Sequence, residues 1–126
     1  MTEPAAPRIA ANPIPYWARD GVVDKSRHVF EEAFADFQRI GFTAVKADLP
    51  AGMSAQEYRE WIGSYGLAPA ISTVMVAFED GAPGLTDADG LRRFAGEQLA
   101  LGNSATMLIP PMTPTRIETP AVAVDH

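Results

Sequence analysis

Phe34-Ala-Asp-Phe-Gln-Arg-Ile-Gly-Phe-Thr-Ala-Val-Lys-Ala-Asp48 changes from a helical pattern to a strand pattern across one glycine. On the N-terminal side, Phe30, Ala33, Phe34, Phe37 and Ile40 fall at i, i+3, i+4, i+7 and i+10. That spacing makes one apolar stripe of a 3.6-residue period and predicts a helix over 26–40. Gly41 stands where a helix ends in a left-handed residue. Beyond it, Thr43 to Leu49 is short, β-rich and alternating, and predicts a strand. A helix followed after one glycine by a strand is half of a βαβ repeat.

The repeat extends in both directions. Upstream, residues 1–7 are rich in Pro and Ala and read as a loose lead-in, and 8–13 is a short strand candidate. Residues 14–25 read as a loop that holds Tyr16, Trp17, Arg19 and Asp20. Downstream, Pro50, Ala51 and Gly52 break the second strand. Ser54 with Glu57 three residues later is a capping box, in which each side chain satisfies a free backbone N–H of the other residue. Tyr58, Trp61, Ile62 and Tyr65 continue as an apolar stripe, which Gly66 closes. The run 71–78 reads as a buried third strand, and 79–85 as a loop. Thr86 with Asp89 is a weaker cap for a helix whose apolar face is Leu91, Phe94, Ala95 and Leu99, ended by Gly102. Residues 105–109 are the fourth strand candidate, and the prolines at 110, 111, 114 and 120 keep residues 110–121 extended or looped.

Strand and helix in alternation predict an α/β fold of consecutive βα units with parallel strands. An open doubly wound sheet and a closed eight-stranded barrel share this pattern. Single-glycine turns after helices, with longer polar loops after strands, favour the barrel. No G-x-G-x-x-G follows a strand, which argues against a dinucleotide site. With about four strands and three helices, the expectation is a partial (β/α)8 barrel over 8–126, the first half of a domain.

Composition narrows the function classes. The chain has 126 residues, 47% hydrophobic, with a formal net charge of -6 and no cysteine. Acidity without a basic cluster argues against nucleic acid or an anionic membrane as partner. The absence of cysteine removes disulfides and thiolate metal sites. No apolar run is long enough to span a bilayer, and the N-terminus does not read as a secretory signal, so a cytoplasmic location is expected.

The second strand is the most informative site. Alternation puts Val45 and Ala47 on one face, toward the helices, and Lys46 with Asp48 on the other, near the mouth. An inward lysine and carboxylate suit a sugar hydroxyl or a proton transfer, so both are candidate catalytic residues. A structural ion pair is the alternative. Asn12 and Trp17, with Tyr16, are candidates for binding substrate from the first loop, where an aromatic ring would cover a small polar ligand. Trp17 is equally at home as packing. Glu79 with Asp80 follows the third strand, and such paired carboxylates could bind substrate or a metal, act as acid and base, or be a solvated loop. Arg116, with Glu118, could hold a phosphate or carboxylate. His28 is expected to face solvent. No metal-ligand cluster is recognisable in the sequence.

The successions 8–17, 34–48 and Trp61-Ile-Gly-Ser-Tyr-Gly-Leu67 resemble the N-terminal half of the sugar phosphate isomerase/epimerase proteins. These are xylose-isomerase-like TIM barrels that include inosose dehydratases and isomerases. The resemblance covers roughly residues 8–112. It implies a parent that is a metal-dependent isomerase, epimerase or dehydratase acting on a small polyol or sugar, with a divalent metal (Mn, Mg or Co). The chain departs from the pattern at Lys46 and Asp48, where the family commonly has a glutamate. No metal ligand of the family can be carried over to these residues. The chain on this reading is inactive alone, and its partner is the missing C-terminal half. The alternative is a small stand-alone α/β module that binds a ligand or self-associates through open sheet edges, without catalysis.

Overall fold

The computed structural model describes residues 8–76 and 87–110, with the single positions 3 and 118. The expected first helix forms as α2 (Arg27–Ile40), and its buried face is Val29, Phe30, Ala33, Phe34 and Phe37. Ile40, expected on that stripe, is exposed, because the helix ends beneath it at Gly41. Gly41 has φ +102°, and its N–H reaches back to the carbonyls of Phe37 and Gln38. The polypeptide then turns into β4 (Ala44–Lys46). The capping box forms as read: Ser54 Oγ accepts from the Glu57 N–H at 3.2 Å, and Glu57 accepts from the Ser54 N–H at 2.8 Å. It opens α3 (Ala55–Gly63), whose buried residues are Tyr58, Trp61 and Ile62.

The region 14–25 is more ordered than its reading as a loop. It holds the short helix α1 (Ile14–Trp17) and a hairpin of β2 (Ala18–Arg19) and β3 (Val22–Val23). Asp20 and Gly21, both at positive φ, make its two-residue turn. Asp-Gly between hairpin strands is the residue pair that such a turn selects.

Three parallel strands pair in chain order: β1 (Ala10–Ala11), β4, then β5 (Ala68–Ala70). The third expected strand, 71–78, is shorter among the described residues and is not the one that joins this sheet. β5, which pairs with β4, precedes it, and the expected segment itself forms β6 (Thr73–Met75), which pairs in parallel with β7 (Met107–Ile109). It is not the buried strand expected from its composition, since Ile71 and Met75 are exposed. The helix between them, α4 (Ala88–Ala100), is capped by Asp87, one residue beyond the expected Thr86, with its side chain accepting from the Gly90 N–H at 2.7 Å. Its buried residue is Gln98, and Leu99, expected on the apolar face, is 68% exposed.

The fold is thus mixed α/β with small, open parallel sheets and four helices among the described residues. The core lies between the β1–β4–β5 sheet and helices α2 and α3. Ala11, Val45 and Ala47 from the strands join Phe30, Phe34, Phe37, Tyr58, Trp61 and Ile62. Phe34 is its centre, with rings of Trp61, Tyr65 and Phe30 at 5.1, 5.7 and 5.9 Å.

Candidate functional site

The alternation read for the second strand holds. Val45 and Ala47 are fully buried among the helix residues. Lys46 and Asp48 are therefore on the opposite face, and being two apart on an extended segment they lie side by side. Lys46 Nζ donates to both Asp48 oxygens, at 3.0 and 3.2 Å. Their side chains are only 13% and 20% exposed, so the pair is shielded more than a surface ion pair. Ser72, buried in the link between β5 and β6, adds a hydroxyl donor to Asp48 Oδ1 at 3.4 Å.

The backbone of this strand end is gripped by Tyr58. Its Oη accepts from the Asp48 N–H at 3.3 Å and donates to the Lys46 carbonyl at 3.5 Å. Burial pushes the Tyr58 phenol well above its ordinary range, with the Asp48 charge acting in the same direction and the Asp48 N–H opposing. The ring was legible in the sequence only as a member of an apolar stripe. Its hydroxyl is what reaches the site.

Asp48 also lines a cleft of about 320 Å³ with Lys25, Phe30, Leu49, Pro50 and Ala51. The cleft therefore lies where the segment after the first hairpin meets the loop after β4. Lys25 Nζ sits 4.3 Å from the centre of the Trp17 ring, a cation–π contact. Trp17 thus touches the site through Lys25. It also packs on the core, and its buried Nε1 has no partner among the described residues. Lys25 could not have been singled out from the sequence, because its place depends on the turn that the hairpin makes.

Of the other candidates, Asn12 follows β1 at the level where Lys46 follows Val45, on the same strand end as the pair. Asn12 is exposed, and its Oδ1 accepts from the Ile14 N–H at 3.1 Å, so its side chain caps the turn into α1. Tyr16 donates to Asp36 at 2.9 Å, fastening α1 to α2. His28 is exposed, as expected, beside Ser26 Oγ at 3.0 Å. Glu79, Asp80 and Arg116 lie outside the described residues.

The described residues at the cleft do not by themselves make up a divalent-metal site. Among the described residues there is no group of three or more His, Asp or Glu that could hold one. Asp48, the carboxylate of the cleft, already has both oxygens on an ammonium. What the arrangement can do is present one charge-assisted donor and one acceptor to adjacent hydroxyls of a ligand. No helix among the described residues is long and apolar enough to cross a membrane. No family model matches this sequence, and no curated protein and no solved structure shows significant similarity to it.

Proposed function

We propose that the chain is a portion of a (β/α)8 barrel that binds a small polyol or sugar at the Lys46–Asp48 pair, as the N-terminal part of an isomerase, epimerase or dehydratase. The observation that carries this reading is the shielded pair at the C-terminal end of a parallel strand, on the face away from the helices, beside an open cleft. Barrel enzymes gather their chemistry at that end of the strands. The chain-order pairing of β1, β4 and β5, and of β6 with β7, also supports it, since barrel strands are neighbours in sequence order.

In this role Lys46 donates to a ligand oxygen, and Asp48 accepts a hydroxyl proton or orients the hydroxyl. The Mn, Mg or Co ion implied by the resemblance would be held by residues other than those described, and no step is assigned to it. The chain alone carries no turnover on this reading, and its setting is the cytoplasm.

Titration of isotope-labelled protein with inositols, inososes and ketose sugars tests the reading. Shifts should cluster at Lys46, Asp48 and Lys25 and vanish in Lys46→Met. Absence of shifts at millimolar ligand, or their persistence in that variant, overturns it. Assays with added Mn²⁺, Mg²⁺ or Co²⁺ should show no turnover. Turnover that a chelator abolishes would contradict the claim of inactivity.

The second reading, a stand-alone module that self-associates, has its own observation. Met75, Met107, Leu108 and Ile109 are all exposed on the β6–β7 ribbon. Open parallel strands with apolar, uncharged side chains are templates for pairing.

A further inference from the structure

We infer that Gln98, oriented by Asn103, is a positioning residue for the Lys46–Asp48 pair. Gln98 is 3% exposed and is the buried residue of α4, at a place where a helix ordinarily buries an aliphatic side chain. A primary amide is tolerated there only if its polar ends are bonded. Both are. Its Oε1 accepts from Asn103 Nδ2 at 2.9 Å, and its Nε2 donates to the Ala47 carbonyl at 3.5 Å. Asn103 Nδ2 donates also to the Ala70 carbonyl at 3.0 Å. Because Asn103 presents N–H to Gln98, the carbonyl end of Gln98 must face Asn103, which turns its NH₂ toward Ala47.

The Ala47 carbonyl and the Asp48 N–H belong to one peptide unit, the link that joins the two members of the pair. β4 ends at Lys46, so this unit lies past the strand. Its N–H goes to Tyr58 from α3 and its carbonyl to Gln98 from α4. Two helices thus hold, through side chains, the plane that a strand partner would otherwise hold. Rotation of that plane swings the Asp48 side chain away from Lys46. Gln98 resists the rotation from one side and Tyr58 from the other.

This inference rests on the proposed function only for the pair's use, not for its geometry. Lys46 geometry is read by acetylation with acetic anhydride, followed by peptide mass analysis, with Lys25 as internal reference. The ion pair and its burial protect Lys46, so Asp48→Asn should raise its rate about tenfold, as for loss of a charge-assisted hydrogen bond. Gln98→Met, which keeps volume and removes the donor, should raise it about threefold. Asn103→Ala, outside the helix, should raise it about twofold and serves if Gln98→Met does not fold. Leu101→Ala removes buried contact near the same helix end and controls for loosening of α4. It should lower stability and leave the Lys46 rate unchanged. Unchanged Lys46 protection in Gln98→Met or Asn103→Ala, or an equal rise in Leu101→Ala, overturns the inference. If wild type binds no polyol while these rates behave as expected, the proposed function fails and the positioning role stands. If polyol shifts appear and the rates do not move, the reverse holds.

Discussion

The β1–β4–β5 sheet with α2 and α3 and the β6–α4–β7 segment come from the same sequence plan, yet they are held differently. The first buries Phe30, Phe34, Phe37, Tyr58, Trp61 and Ile62 in one cluster rich in aromatic rings. The second buries Val74 and Gln98, sends Leu101 into that same cluster, and leaves Met75, Leu99, Met107, Leu108 and Ile109 exposed. The first is held by area removed from water, while the second has little apolar burial beyond Leu101 and Val74 and adds the amide hydrogen bonds of Gln98 and Asn103. The candidate site sits at their seam, with Lys46 and Asp48 from the first region, Gln98 from the second and Ser72 from the link between them. The well-packed region can supply a fixed strand, while the polar region aligns the side chains that project from its end.

The largest expected effect tests the packing side. Phe34 is fully buried with aromatic neighbours on three sides. Phe34→Ala should cost about 3–5 kcal/mol by urea denaturation. Leu99→Ala, on the exposed flank of α4, should change stability by no more than about 0.5 kcal/mol. Comparable losses from the two would erase the distinction between the regions.

Next comes a pH dependence at the seam. The Tyr58 phenol is raised in the folded state, chiefly by burial, above its ordinary value near 10. From about pH 10 upward, the unfolded chain releases that proton first and the folded chain retains it. The unfolded state then binds fewer protons, so stability falls as pH rises, with a slope approaching about 1.4 kcal/mol per pH unit from this group. Below pH 10 the group contributes no slope. Tyr58→Phe should remove that part of the alkaline slope in denaturation curves taken from pH 9 to 11. An unchanged slope would mean that Tyr58 is not shielded at the seam.

A smaller effect belongs to the backbone. Gly41 holds φ +102° with open space around the position a Cβ would take. Gly41→Ala should therefore cost about 1 kcal/mol through conformation alone. Gly21, in the hairpin turn at φ +75°, has the same open surroundings, so Gly21→Ala should cost a similar amount. A hairpin that matters only locally would show its loss in the amide signals of Ala18 to Val23, with α2 unmoved.

These contrasts also explain how much of the molecule was legible in the sequence. The helix over 27–40, its glycine stop, the capping box and the side assignment of Lys46 and Asp48 follow from local rules, and tertiary packing agrees with them. The hairpin escaped the strand reading because its strands are two residues long, too short to show alternation. Asp20-Gly21 was the available signal. On α4 the apolar stripe pointed to Leu99, but the neighbouring position is the one buried. Adjacent helical residues differ by about 100° of rotation, so hydrogen bonds from Gln98 and Asn103 can decide which of the two faces inward. Lys25 and Ser72 join the site through long-range contacts that no spacing encodes.

The smallest expected change in stability asks what the exposed ribbon is for. Leu108 lies on β7 with Met107 and Ile109, all three exposed. Parallel pairing with β6 engages the backbone groups of Met107 and Ile109, and Val76 donates to the Ile109 carbonyl at 3.0 Å. The groups of Leu108 alternate to the other edge. Leu108→Lys puts a charge beside that edge, a device that natural edge strands use against pairing. Monomer stability should change by no more than about 0.5 kcal/mol, since an exposed side chain loses little contact. Sedimentation velocity then separates the two functional readings. If the ribbon joins copies of the chain, wild type sediments as an oligomer and Leu108→Lys as a monomer. If it is only an uncovered edge of the weaker region, both sediment alike, and the polar segment serves to align the site rather than to assemble the protein.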